Sequence, residues 1–359
     1  MKLSRRARHV IMAAVAAVML ASCSSLNYYA QAAQGQLNLL NDARPIDEWL
    51  ADQNTEPKLK LRLAAARQIR TFAVQELGLP DNKSYRNYAS LARPFVLWNV
   101  VAAPELSLNP VQWCFPVAGC VSYRGYYSKD DAQAYAAQLR AEGNDVQVGG
   151  VPAYSTLGWF NDPLISTFIY YPDAELARLL FHELSHQVVY VQGDSQFNES
   201  FASAVEEAGV ERWLHGYGNQ QMRDNYLKFS ARKQQFMALL LDCRRALEAA
   251  YSSSESLAAK RADKARLFQK LKDDYQVLKA SWGGFSGYDR FFAEPLSNAH
   301  LASIATYNDF IPAFRALMAR EKTFPRFYAA ARELAALDKE ERHARLAQLA
   351  GSAVVAASH

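Results

Sequence analysis

Two histidines at positions 182 and 186, with a glutamate between them at 183, commit part of this chain to a helix. The run His182-Glu183-Leu184-Ser185-His186 works as a unit only there. Side chains four residues apart lie one above the other on a helix face, so both imidazoles can reach one metal ion. The intervening glutamate then stands beside the open coordination position, where it can take a proton from an attacking water.

The flanking residues favour that helix. No Gly or Pro occurs from Glu175 to Val191, and Leu176, Leu179, Leu180, Leu184, Val188 and Val191 recur at helical spacing. Asp173 is the expected N-cap and Gly193-Asp194 the expected stop, which puts the motif near the middle of a buried helix. A second helix is predicted from about Ser195 to His215, after a short loop. It offers Glu199, Glu206 and Glu207 as carboxylates, the supply a His-His-Glu zinc site needs.

The pair His182–His186 followed by Asn198-Glu199-Ser200-Phe201-Ala202 resembles the gluzincin metallopeptidases. There an Asn-Glu pair early in the second helix supplies the third zinc ligand, usually after a longer spacer. Here 12 residues separate His186 from Glu199, whereas Glu206 follows after 19, the thermolysin-like spacing. The Asn-Glu-x-x-Ala wording favours Glu199 as ligand, with Glu206 supporting it seven residues on; Glu206 stays the rival ligand. The stretch from Gly158 to Trp213, with the Cys114–Cys120 segment, resembles the bacterial "putative aminopeptidase" family of lipoproteins.

The resemblance implies a zinc-dependent peptidase acting on peptide or protein substrates. One Zn²⁺ would be bound by His182, His186 and Glu199, with Glu183 as general base. It further implies a downstream Tyr or His that stabilises the oxyanion, for which Tyr307 is the choice and His300 the runner-up. A substrate-pairing edge strand is expected over Gly158–Phe168, with an ordinary sheet edge as the alternative. Aminopeptidase is the expected activity; a membrane-tethered endopeptidase and a non-catalytic envelope lipoprotein are the alternatives. His215, beside Gly216, reads as a helix C-terminal cation.

The N-terminus bears on location. Lys2, Arg5, Arg6 and Arg8 precede an apolar run from Val10 to Leu20, the pattern of a signal peptide over residues 1–22 and too short to span a bilayer. Leu20-Ala21-Ser22-Cys23 resembles the bacterial lipobox, which would make Cys23 the lipidated first residue, followed by a tether over 23–36. Ser24 after it suggests outer-membrane anchoring on the periplasmic side. Removing residues 1–22 takes the formal net charge from +4 to zero, so the basic balance gives no argument for a nucleic-acid partner. In an oxidising envelope a disulfide is the default for Cys114 and Cys120, across a loop containing Pro and Gly. Cys243, among Leu239, Leu240 and Leu241, reads as a buried thiol.

The remaining patterns imply an α+β fold, mainly helical. Helices are predicted at Ile46–Ala51, Pro57–Leu77 and Lys129–Glu142, and strands at Phe95–Val101, Val121–Tyr126, Asp145–Val148 and Ile165–Tyr171. An N-terminal α/β region (37–172) with a small sheet would adjoin a helical region (173–359). The latter contains a long hairpin over 219–281, from Asn219–Tyr251 and Leu257–Ser281, then shorter helices to Leu349.

Overall fold

The computed structural model describes residues 27–115, 119–302, 304 and 310–357, with side chains as far as 351. The signal segment, Cys23 and Tyr307 lie outside the described residues. About 61% of the chain is helix and 10% strand, so the mainly helical α+β class holds.

Helix α1 covers residues 27–41, so residues 27–36, read from the sequence as a tether, are helical. Strand β1 (Arg44–Pro45) leads into α2 (Ile46–Ala51) and α3 (Pro57–Gln75), whose Pro57 sits in the first turn, where its missing N–H is not needed. Strand β2 (Asn87–Ala89) pairs antiparallel with β1. Strand β3 (Leu97–Pro104) is the middle of a second sheet, flanked by β6 (Arg124–Tyr126) and β7 (Asn144–Val151), both antiparallel to it. Between β3 and β6 lies a ribbon of β4 (Trp113–Phe115) and β5 (Gly119–Val121), in which Cys114 faces Cys120 and is disulfide-bonded to it. The strand expected over Val121–Tyr126 is therefore two, broken at Ser122-Tyr123.

Helix α4 (Lys129–Ala141) is capped by Ser128, whose hydroxyl accepts from Asp131 N. It covers the second sheet, and Trp98, Val100, Ala102, Tyr126, Ala132, Ala136, Leu139 and Val146 form a core there.

Strand β8 is only Leu164–Ile165, parallel to β2. The longer strand expected over Ile165–Tyr171 does not form. Ser166 turns the chain instead: its Oγ accepts from Leu91 N and donates to Leu91 O, and tight turns follow through Tyr171. Gly158–Pro163, the expected start of an edge strand, is a loop. Leu157 and Gly158 both take left-handed backbone there (φ 57° and 82°), which an extended strand excludes.

Helices build the second half of the chain around the motif. Helix α5 (Asp173–Ser185) and α6 (Ser195–Tyr217) form a tight hairpin. Helices α7 (Gln220–Ser252) and α8 (Leu257–Ser281) form the long one, capped by Asn219 and Ser256. After a 3₁₀ turn at Asp289–Phe292 come α9 (Asn298–Ala302), α10 (Ile311–Glu321), α11 (Phe324–Ala335) and α12 (Lys339–Ala357). The main core runs through α3, β2, β8, α5, α6, α10 and α11, with Leu63, Phe72, Phe181, Phe197, Phe201, Phe314 and Phe327 among its residues. One core thus crosses the 172/173 boundary. A separate apolar seam joins α7 to α8, and Cys243 is buried in it.

Candidate metal centre

Helix α5 begins one position earlier than a capped start at Asp173 would require. Asp173 is its first residue and Pro172 holds the cap position without a side-chain bond; the Asp173 carboxylate pairs with Arg62 instead. The helix also stops sooner than Val191. Ser185 Oγ donates to His182 O (2.6 Å), His186 holds the C-cap with helical backbone (φ −59°, ψ −20°), and turns through β-branched Val188 and Val189 follow. The motif therefore occupies the C-terminal turn of α5, not its middle. The spacing still works, because His186 stays helical: the two imidazole centroids lie 4.8 Å apart and nearly perpendicular.

The loop to α6 is short and tied at both ends. Asn198 is buried and brackets it, donating Nδ2 to Val191 O (2.8 Å) and accepting Val191 N at Oδ1 (2.8 Å). Asp194 caps α6 through Phe197 N, while the same carboxylate holds Arg342 and His343 of α12, each at 2.9 Å. These contacts fix where the next residue, Glu199, points.

Glu199 Oε2 lies 3.2 Å from His182 Nε2, and its Oε1 lies 3.7 Å from His186 Nε2. The two Nε2 atoms are 3.2 Å apart. One donor atom from each residue thus falls within 4.8 Å of the others, the only such His/Cys/Asp/Glu group among the described residues. Two imidazole nitrogens and one carboxylate oxygen are the donor set of a catalytic zinc site, with one tetrahedral position left for water or substrate.

Glu206 sits on the opposite side of His182. Its Oε2 meets His182 Nδ1 at 2.8 Å and both its oxygens accept from Arg178 (3.2 and 3.1 Å). Glu206 therefore orients an imidazole, and Glu199 is the carboxylate on the Nε2 side. Arg178 is in turn held by Glu175 (2.8 Å). A carboxylate behind a ligand histidine selects its tautomer and leaves Nε2 to face a metal.

The charges respond to this packing. Burial opposes a charge on His182, but hydrogen bonds to Glu199 and Glu206 outweigh it and push the imidazole up to about 10. Burial holds His186 down to about 4, despite Glu199. Burial also acts against Glu199 and Glu206; the two histidines hold Glu199 below its ordinary value, and Arg178 and His182 hold Glu206 down to about 2. A protonated His182 between two carboxylates puts positive charge where a cation would sit. The donor set therefore fits a divalent ion that displaces this proton. Glu183 is buried beside it, and burial raises its carboxyl to about 7.

The remaining candidate residues lie outside the His182–His186–Glu199 group. Glu207 pairs with Arg315 through both oxygens (2.7 and 2.8 Å). His300 is buried, accepting from Ser297 N (3.1 Å) and packing edge-on against Phe291, so it is a core side chain. His215 lies in the last turn of α6.

Two tyrosines were not singled out from the sequence. The Tyr190 ring lies 6.5 Å from that of His186. Tyr123, in the break between β5 and β6, is 37% exposed as a residue, while its phenol is raised first by desolvation at the hydroxyl end and then by the charges of Glu199, Tyr190 and Glu183. The ribbon just before it abuts the α5–α6 loop, where a Cβ on Gly119 would meet Gly193 N at 2.8 Å. Arg178, four residues before His182, could have been read from helical spacing; Tyr123 had no such signal.

A family model described as "Putative aminopeptidase" matches residues 27–346, nearly the whole described chain. The chain belongs to this family. No curated protein and no solved structure matches it. The family's name suggests a peptidase, and the three converging donors lie within the matched residues.

Proposed function

We propose that this member of the aminopeptidase family is a zinc-dependent peptidase, held in the bacterial cell envelope by a lipid on Cys23. The observation that carries the reading is the convergence of His182, His186 and Glu199, with Glu183 buried beside them. A zinc ion in that donor set would lower the pKa of a water towards about 7 and polarise the scissile carbonyl.

The chain's own residues would do the rest. Glu183, raised towards neutrality by burial, takes the proton of the attacking water on its carboxylate and returns it to the leaving amine. Glu206 keeps the proton on His182 Nδ1 and the ring in place. For the developing oxyanion the described residues offer the Tyr123 phenol, on a side chain open to solvent, which desolvation at the hydroxyl and nearby carboxylates keep protonated and so able to donate. Tyr307, the choice made from the sequence, would serve the same role.

One observation favours an endopeptidase as a second reading. An exopeptidase of this kind must hold a free α-amine, yet Glu206 is engaged by His182 and Arg178, and Glu207 by Arg315. Cleavage of a peptide panel with free and blocked N-termini, with and without chelator, separates the readings. Cleavage confined to free N-termini and lost with chelator supports the aminopeptidase; equal cleavage of blocked peptides supports the endopeptidase. A protein that binds no zinc and cleaves nothing would be a non-catalytic lipoprotein.

A further inference from the structure

A cavity of about 840 Å³ lies between α6, the first half of α7 and the start of α10. Its volume falls in the range of about 300–1,000 Å³ that small-molecule sites occupy. None of His182, His186, Glu199 and Glu183 lines it, so it is distinct from the metal centre. The two regions share the support behind His182, because Glu206 and Arg178 form part of the cavity wall.

The lining has an apolar and a charged part. Leu214, Leu227, Met237, Leu241 and Ile311 supply the apolar wall, and Leu227 is 63% exposed to water. Such a surface favours an apolar occupant. Four cationic and three carboxylate side chains also line the cavity, an excess of one positive charge with histidine counted neutral. Arg178 is matched by Glu206 and Arg315 by Glu207. That leaves Arg223 and Lys233 against Glu211. Arg223 donates to the carbonyls of Leu214 (3.2 Å) and Gly218 (3.3 Å). Lys233 Nζ lies 3.8 Å from Glu206 Oε1, longer than a hydrogen bond, so its donors are not spent there.

The walls also tell a peptide from a simpler chain. They are helices, whose backbone N–H and C=O groups pair within each helix. A peptide main chain would find side chains alone for its amides, whereas an aliphatic chain needs no such partners.

We propose that this cavity binds an aliphatic carboxylate, with its chain on the apolar wall and its head on Lys233 Nζ. One negative charge balances the excess positive charge of the lining, and the ammonium has donors to give it. The site stands apart from the peptidase reading, since neither the metal donors nor Glu183 belongs to it.

Titration calorimetry of the purified protein with decanoate, below micelle formation, tests this, with 1-decanol as the uncharged counterpart. The native protein should bind decanoate saturably and more tightly than 1-decanol. Lys233→Met should weaken decanoate about tenfold, the loss of one charge-assisted hydrogen bond, and leave 1-decanol within about twofold. The Lys233 side chain is 47% exposed, so its replacement leaves the core intact. Ala238→Trp, at an exposed position of the wall, narrows the space and should weaken both ligands. Chelator-treated protein should bind decanoate as the untreated protein does, because no metal donor lines the cavity. The absence of saturable decanoate binding overturns the proposal. So does a decanoate affinity that Lys233→Met or Ala238→Trp leaves unchanged, or binding of an apolar peptide in place of decanoate. A protein without zinc or peptidase activity would sink the proposed function and leave this test standing.

Discussion

The two helix pairs of this molecule bury opposite things. Between α7 and α8 the seam is apolar: Phe236, Leu240, Cys243 and Leu247 meet Leu267, Phe268, Leu271 and Tyr275. Its charges stay outside as pairs such as Lys270–Asp274, worth little to stability. Between α5 and α6 the chain instead buries Glu183, His186, Asn198, Ser200 and Glu206. Desolvating such groups is unfavourable unless each finds a partner, and Arg178, Glu206 and Asn198 supply partners around the histidines and the loop. The long pair buries apolar surface and the short one buries the candidate metal donors. Substitutions should therefore separate the two.

The sharpest separation is at Glu183. Glu183→Gln keeps the shape and removes the base, so peptide hydrolysis should fall by about 10²–10⁴-fold. Thermal unfolding should show an equal or higher Tm, because a buried carboxylate raised by burial is removed. Native-rate hydrolysis would break the comparison. In the long pair, Leu271→Ala should cost about 2–5 kcal/mol by denaturant titration, with zinc content per folded chain unchanged. Loss of zinc there would mean that the hairpin shapes the centre.

Smaller effects sharpen the account. Glu206→Gln should weaken zinc binding about 10- to 100-fold in a chelator competition, since it disturbs the support of His182 and not a ligand. Complete loss would make Glu206 the ligand. Asp162 is a test by pH: burial lifts its carboxyl from 3.8 to about 6, against the bonds from Thr156. The folded protein then holds a proton that the unfolded chain releases. Stability from this group is highest below pH ~4, falls as pH rises to about 6, and is flat beyond. The change is on the order of 3 kcal/mol, and Asp162→Asn should remove it. An unaltered pH slope in that variant would contradict the assignment.

The sequence carried the motif, both hairpins and the fold class because each is written in local spacing. The hairpin helices begin where Asn219 and Leu257 were expected to start them, and the helical run after Ser195 carries both Glu199 and Glu206. What it hid depends on contacts distant in the chain. The early end of α5 comes from Ser185 bonding back to His182 O, and from Asn82 and Ser84 holding Gln187. The missing strand after Ile165 reflects Ser166 spending its hydroxyl on Leu91, 75 residues away. Tyr123 comes near the centre only through tertiary packing, so no spacing rule points to it. Spacing alone also left Glu199 and Glu206 as rivals; the structure separates them because they approach different nitrogens of one imidazole.

The most direct measurement is the zinc content of the purified protein beside its Glu199→Ala and Glu183→Gln variants, after loading and desalting. The account predicts about one zinc per native chain, the same in Glu183→Gln, and a loss of most of it in Glu199→Ala. A native protein without zinc, or a Glu199→Ala variant that keeps its full complement, would contradict it.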